Sequence, residues 1–335
     1  MGLTKLVGQS AWMRALRERI DRVAAYSSNV LIIGPSGTGK ELIARAIHGQ
    51  SPRSGAPFIP VDCTALSGEL FASHLFGHIK GAFTGADYER LGCFRAAERG
   101  TILLDEIGEL APDLQSKLLR AIQERVVIPV GSERPVPIDV RIIAATNRDL
   151  ADEVREGRFR LDLFYRLNVV SFETLALSRR TEEIESLASH FLDTIACEQG
   201  VPRKRFSPAA IAALKSHPWP GNVRELQNVV ERAVIFASSD LINAEAIPFD
   251  RRQSQMPVPT ESGPEPRANA HEAPWSTMAE VEREHIRVTL AHTFYNQSAA
   301  AALLDMDRTS LARKIIYYGI SIPAPRRGRP RKIQP

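Results

Sequence analysis

Four short runs of nearly uninterrupted apolar residues, Val30–Ile33, Phe58–Val61, Thr101–Leu104 and Val140–Ala144, punctuate a stretch that otherwise has the three-to-four-residue spacing of helices. Strands buried on both faces read as continuous apolar runs, and strands alternating with helices imply a parallel sheet covered on both sides. Residues 1–175 are therefore predicted to form an α/β unit. Residues 181–247 keep the helical pattern without an obvious strand, so 176–247 reads as a small helical subdomain. The stretch 248–274 is polar and rich in proline, the composition of a linker. A helical pattern resumes near Trp275, where Thr277 followed by Glu280 has the spacing of a capping box. This predicts an all-α domain over 275–320, with 321–335 as a tail. No internal repeat is visible.

The loop after the first strand carries the first chemistry. Gly34-Pro35-Ser36-Gly37-Thr38-Gly39-Lys40 joins Val30–Ile33 to the helical stretch 41–48. Glycines let backbone N–H groups wrap a phosphate, the helix start adds positive dipole, and a lysine at this spacing reaches the outer phosphates. Glu41 stands where a magnesium-contacting Ser or Thr is usual. About 65 residues on, the third strand ends in Asp105-Glu106, two carboxylates suited to holding Mg²⁺ (Asp105) and polarising a water (Glu106). Asn147 closes another strand and is either a water-orienting amide or an ordinary turn residue. Between these parts lies Gly81-Ala82-Phe83-Thr84-Gly85-Ala86, one large ring in a glycine-bounded loop. Such a loop suits contact with a partner, a flexible turn being the plain alternative.

Taken together, these segments resemble the bacterial enhancer-binding proteins, the AAA+ ATPases that activate sigma-54 RNA polymerase. The resemblance covers almost the whole length. It rests on the phosphate loop ending Gly-Thr-Gly-Lys-Glu and on Leu75-Phe76-Gly77-His78 leading into the 81–86 hexapeptide. Gly131-Ser132 with 139–147, the segment 159–168, and Trp219-Pro220-Gly221-Asn222-Val223-Arg224-Glu225-Leu226 match as well. The resemblance implies an AAA+ P-loop parallel sheet with a helical lid, plus a separate helix-turn-helix domain. It further implies ATP and Mg²⁺ as cofactors, and an active site completed only in an oligomeric ring, usually a hexamer. Arg160 and Arg166 would be arginine fingers toward a neighbouring subunit and Arg224 the lid arginine that senses nucleotide, although each alone has the plain reading of a surface ion pair. The phosphate loop, Gly34 to Glu41, would bind ATP. Gly81, Ala82, Phe83, Thr84, Gly85 and Ala86 would contact the sigma factor as nucleotide state moves the loop.

Some positions depart from the family pattern. Pro35 replaces an acidic or amide residue, and Arg99 a glycine. Asp62 stands where the family often has an asparagine that holds the catalytic glutamate back; an ionised Asp62 has no hydrogen to donate to Glu106, which bears on how hydrolysis is coupled to sigma contact. Residues 174–180 lack the usual Pro-Pro and one arginine.

Near the C-terminus, the alanine-rich stretch 297–304, the turn Asp305-Met306-Asp307 and the stretch 308–316 have helix-turn-helix spacing, with a plain helical hairpin as the alternative. Leu311 and Ile315 would face inward. Arg308, Thr309, Ser310, Arg313 and Lys314 are the candidate DNA contacts. The segment resembles the Fis-type domain of the same family, except that Asp305 replaces a glycine in the turn. Beyond it, Arg326, Arg327, Arg329, Arg331 and Lys332 with no acid give the tail +5 of the chain's net +4, so the remaining 320 residues sum to −1. Arg327-Gly328-Arg329-Pro330 resembles an AT-hook for a minor groove; a basic tail binding phosphates without sequence preference is the alternative.

Composition narrows the classes further. No apolar run approaches the ~20 residues of a membrane span, and the first residues lack a signal-peptide core. Cys63, Cys93 and Cys197 are widely spaced, which argues against a disulfide framework or a zinc site and fits a reducing cytoplasm. The expected partners are sigma-54 RNA polymerase, double-stranded upstream DNA and further copies of the chain. With no regulatory domain expected ahead of the ATPase, a regulator acting in trans is a further candidate. A protein-remodelling AAA+ chaperone and a DNA-binding repressor with a vestigial ATPase are the rival classes.

Overall fold

The computed structural model describes residues 6–64, 68–237, 239–249, 278–293 and 295–320. The linker beyond Phe249, the Thr277 cap and the tail with Arg327 and Arg329 lie outside them. The chain divides into two compact units, 1–259 and 260–335.

In the first unit, β1 (Val30–Ile33), β2 (Phe58–Asp62) and β3 (Thr101–Asp105) join a parallel sheet. A short hairpin, β4 (Val126–Val127) and β5 (Val136–Pro137), precedes two more sheet strands, β6 (Arg141–Thr146) and β7 (Val170–Glu173). The order across the sheet is β2-β3-β6-β1-β7. Val30 pairs with Ile143 on one side and Val170 on the other, and Thr101 lies between Phe58 and Arg141. The four anticipated strands form within two residues of their expected bounds, β6 running on to Thr146 where Ala144 was the expected end. The edge strand β7 was not anticipated.

The apolar runs are continuous because alternate residues face two different cores. Val30, Ile32, Leu103 and Ile143 pack against α1 (Ala11–Ala24) and α2 (Lys40–Gly49). Leu31, Ile102, Leu104 and Ile142 belong to the opposite core, which includes residues of α3 (Gly68–Phe76), α4 (Cys93–Ala96) and α5 (Pro112–Glu124). Leu150 of α6 (Leu150–Arg155) and Leu163 and Leu167 of α7 (Leu161–Leu167) complete that layer. Since the chain leaves β1 for the far edge at β2, the carboxyl ends of β1, β3 and β6 border a crevice of the kind where α/β sheets bind ligands.

The lid is α8 (Ile184–Gln199), α9 (Pro208–Ser216) and α10 (Asn222–Phe236), with a two-residue pairing of β8 (Arg205–Phe206) and β9 (Leu241–Ile242). Its core surrounds Trp219, which is 1% exposed and donates from Nε1 to Leu214 O at 2.8 Å. Satisfying the indole N–H is what lets so large a side chain be buried.

In the second unit, α11 (Met278–His292), α12 (Gln297–Leu303) and α13 (Arg308–Tyr317) enclose Ile286, Leu290, Ala300, Ala301, Leu311 and Ile315. Leu311 and Ile315 face inward as the spacing predicts. Among the described residues, no helix is long and apolar enough to cross a membrane.

Candidate nucleotide site, partner loop and helix-turn-helix

Gly34, Gly37 and Gly39 all have positive φ. The first two also allow close approach: a Cβ on Gly34 would lie 2.0 Å from Thr174 Oγ1, and one on Gly37 would lie 2.4 Å from Gly221 O. Thr38 Oγ1 donates to Pro35 O (2.8 Å) and shares a hydrogen bond with Thr174 Oγ1 at 2.7 Å, and Thr174 Oγ1 is also 3.4 Å from Ile33 O. Among the described residues, the backbone N–H groups of Gly37, Thr38, Gly39 and Lys40 donate to no protein acceptor. Together with the α2 N-terminus these orphan donors form a cradle for an anion, which fits the phosphates of a nucleotide.

Lys40 is 6% exposed, and its Nζ donates to Gly34 O (3.0 Å), Pro35 O (3.5 Å) and Glu106 Oε1 (3.4 Å). Glu106 sits in the left-handed region (φ 52°), strain of the sort that collects where a side chain must be aimed. Its Oε2 accepts from the backbone N–H of Asn147 at 3.0 Å. Asp105 Oδ1 accepts from Glu106 N (3.0 Å); burial pushes its carboxyl above the ordinary carboxylate value, and the Glu106 charge adds to the rise. Asp62 faces elsewhere, accepting from the N–H and hydroxyl of Thr64 at 2.8 and 2.7 Å. Glu106 is thus held by Lys40 and Asn147, not by Asp62.

The lid reaches the same loop through the start of α10. Val223 N and Arg224 N donate to Gly37 O (3.0 and 3.3 Å), Asn222 Nδ2 to Ser36 O (2.9 Å), and Arg224 Nη1 to Ser36 Oγ (3.2 Å). Arg180, buried at 3%, donates to Thr38 O at 3.1 Å, pairs with Glu183 at 3.2 Å and lies 4.8 Å above the Trp12 ring. Thr174, Arg180 and Asn222 are therefore parts of the site that sequence reasoning did not single out. The signals were present, in the residue after β7, in the arginine-rich turn into the lid, and in Trp-Pro-Gly-Asn.

Arg160 and Arg166 lie at the two ends of α7. Arg160 forms a two-point ion pair with Asp162 (3.0 and 2.7 Å) and donates to Ser116 Oγ. Arg166 is exposed and pairs with no carboxylate among the described residues. Neither guanidinium touches the phosphate loop or the Asp105-Glu106 pair. Leu161 and Tyr165 beside them are 54% and 66% exposed and line a cavity of about 510 Å³ with Arg160 and Asp162.

The Gly81–Ala86 loop is a closed turn: Gly81 N donates to Ala86 O (2.8 Å) and Ala86 N to Phe83 O (3.0 Å). Phe83 is half-buried, its ring 5.1 Å from that of His78 in an edge-on contact, while Thr84 is exposed. His78 is fixed below by Ser73 Oγ (2.7 Å). At the loop's root, Ile79 N donates to Val130 O, and Ala82 lies so close to Gly131 that a Cβ there would come within 2.7 Å.

In the second unit, Asp307 caps α13 by accepting from Ser310 N (2.9 Å) and from the Ser310 and Thr309 hydroxyls. Asp305 takes the left-handed conformation (φ 50°) of the turn, which accounts for glycine being the commoner choice there. Arg308, Thr309 and Arg313 are exposed, whereas Lys314 is ion-paired with Glu282 of α11, which also accepts from Tyr318 Oη at 2.5 Å.

Comparison with known families follows this geometry segment by segment. The Sigma-54 interaction domain matches residues 6–173, the AAA+ ATPase lid domain 178–263, and the Fis family of bacterial regulatory proteins 277–318. The chain belongs to the sigma-54-dependent transcriptional regulators. Transcriptional regulatory protein ZraR of Escherichia coli K12 is 46% identical over 310 residues, which cover 92% of this chain and 68% of that protein. The Nif-specific regulatory protein of Klebsiella pneumoniae is 43% identical over 322 residues, 96% of this chain and 60% of that one. Among solved structures, NtrX from Brucella abortus in complex with ATP superposes with a TM-score of 0.69 at 35% identity, covering 94% of this chain and 70% of that one. Within this sigma-54-dependent regulator, then, the α/β unit is an AAA+ domain, α8 to α10 are its lid, and α11 to α13 are a Fis-type helix-turn-helix.

Proposed function

We propose that this regulator binds double-stranded DNA upstream of sigma-54 promoters, assembles into a ring, expected to be a hexamer, and hydrolyses ATP to remodel the closed polymerase complex through the Gly81–Ala86 loop. Its place of work is the cytoplasm, where the promoters are. The observation that carries this reading is the convergence of the phosphate-loop cation and the strand-end carboxylates, with Lys40 Nζ 3.4 Å from Glu106 and Asp105 next to it. The orphan N–H groups of residues 37–40 suit phosphate oxygens, and Arg224 brings a second cation from the lid. Asp105 would hold Mg²⁺, which when bound neutralises phosphate charge. Glu106 is aimed to polarise a water, with Asn147 beside it.

Exposed Arg160 and Arg166, flanked by exposed Leu161 and Tyr165, suit packing against a second copy, where a guanidinium stabilises transferring charge. Phe83 packs its ring on His78 and is not a member of the buried core beneath, so lifting its ring leaves that core in place, and Thr84 is exposed at the loop's tip. The test is ATP-dependent opening of a sigma-54 promoter by purified protein with holoenzyme. Wild type is expected to melt the promoter, and Thr84→Ala to hydrolyse ATP without melting it. Melting by Thr84→Ala at the wild-type rate would remove the loop from the mechanism, and absence of ATP turnover in wild type would refute the ATPase reading.

A further inference from the structure

The most exposed large apolar side chains among the described residues are Ile316 (81%) and Tyr317 (80%), both on the outer face of α13. Other large apolar side chains of the chain are exposed as well, Phe236 at 74% among them, but these two are neighbours on one helix, and adjoining exposed apolar side chains are the ones that mark interaction sites. With 3.6 residues per turn, Thr309, Arg313 and Ile316 share the stripe opposite buried Leu311 and Ile315, with Ala312 at its margin. No carboxylate lies on that stripe: Asp307 is turned into its own helix by Ser310 and Thr309. Lys314, the cation nearest the core, is withdrawn to Glu282.

We propose that Ile316 is a specificity-determining residue that reads the C5-methyl group of a thymine in the major groove, while Arg313 supplies the polar contact of the same face. This rests on the DNA-binding reading of the helix-turn-helix. Three features single out duplex DNA as the occupant. Exposed Arg313 stands at the middle of the stripe and exposed Arg308 on another side of the helix start, with no acid between, matching a polyanion. The second helix of a helix-turn-helix lies in the major groove, and with Leu311 and Ile315 buried the opposite stripe is the one it has free to turn toward the bases. The thymine methyl is the apolar feature of the major-groove edges, and apolar side chains are what contact it. Thr309 to Ile316 spans seven residues, about 10 Å along the axis, so the helix face extends over roughly three base-pair steps. A polar residue at 316 would leave the charge match intact and the methyl unread.

The test uses the full chain and a pool of duplexes with a randomised core. The duplex enriched by the wild type is remade with each thymine in turn replaced by deoxyuridine, which removes only the methyl group. At one position wild-type affinity should fall about fourfold, the worth of one buried methyl. Ile316→Ala should bind the thymine and deoxyuridine duplexes alike and keep the wild-type salt dependence. Since Ile316 is exposed, the variant should fold normally, as circular dichroism would verify. Equal wild-type binding of every deoxyuridine duplex, or retained discrimination by Ile316→Ala, would overturn the proposal. So would a loss of self-association in Ile316→Ala with DNA discrimination intact, which would assign the face to protein contact. Enrichment of no duplex at all would refute the DNA-binding reading itself.

Discussion

Replacing Asn222 by alanine tests whether the lid is tied to the phosphate loop by one buried side chain. Asn222 is 3% exposed, its Oδ1 accepts from Leu177 N at 2.8 Å and its Nδ2 donates to Ser36 O at 2.9 Å. Leu177 is fully buried, so its N–H would lose its partner out of reach of water, at about 1–3 kcal/mol. Ser36 is exposed, and water can replace the lost donor there for about 0.5 kcal/mol. Alanine at φ 52° adds about 1 kcal/mol of backbone strain, which asparagine tolerates better. The sum is about 2.5–4.5 kcal/mol, or a fall in Tm of roughly 5–18 °C for a unit of this size. Asn222→Asp should separate the two bonds, because it keeps the acceptor for Leu177 and loses the donor to Ser36. It should recover most of the thermal stability while ATP affinity, measured by titration calorimetry, stays below wild type. An alanine variant within about 0.5 kcal/mol of wild type, with unchanged ATP affinity, would refute the tie.

Three further outcomes follow from single contacts. Arg166→Ala should leave ATP binding intact and lower turnover by about 10³-fold, as expected for loss of a finger, with activity partly restored on mixing with a Lys40→Ala chain that keeps Arg166; no restoration would place Arg166 outside any shared site. Arg99 lies in the left-handed region at φ 59°, so Arg99→Gly should relieve strain in excess of the added chain entropy and raise stability by about 0.5–1 kcal/mol, read by denaturant unfolding. The Asp307 carboxyl is held well below the ordinary carboxylate value by the Ser310 and Thr309 hydroxyls. Its capping contribution is therefore complete above about pH 4 and is lost as pH falls through the lowered folded value. Far-UV circular dichroism should show α13 melting in acid in the wild type and a weaker pH dependence in Asp307→Asn.

The phosphate loop was legible because its letters encode backbone geometry: Gly34, Gly37 and Gly39 adopt the positive φ that glycine permits. The strands were legible because their alternate residues face two cores, leaving no polar gaps. Strand β7 escaped because Val170–Glu173 is four residues long, begins soon after a helix and alternates exposure as an edge strand does. Its loss hid Thr174, whose bond to Thr38 spans 136 residues of chain. Arg180 and Asn222 escaped for the same reason, since their partners Thr38 and Ser36 lie 142 and 186 residues away. On α13 the inward pair was plain from spacing, but the capture of Lys314 by Glu282 depends on how α11 packs, which no local pattern encodes.

The substitution of an acid at Asp62 gains its meaning from where Glu106 is held. An asparagine at 62 would offer Glu106 a neutral donor, whereas here Asp62 is satisfied by Thr64 and Glu106 is satisfied by Lys40 and Asn147. The Lys40 ammonium has three donors, and all three are engaged by Gly34 O, Pro35 O and Glu106. Lys40 must therefore release a partner before it can hold a phosphate, and the contacts at 3.4 and 3.5 Å are weaker than the one at 3.0 Å. One of those two is the bond to Glu106. Restraint of the carboxylate and occupation of the cation thus share one contact, the Lys40–Glu106 bond. A phosphate that displaces the Glu106 contact would leave the carboxylate held by the Asn147 N–H alone, without any signal passing through residue 62.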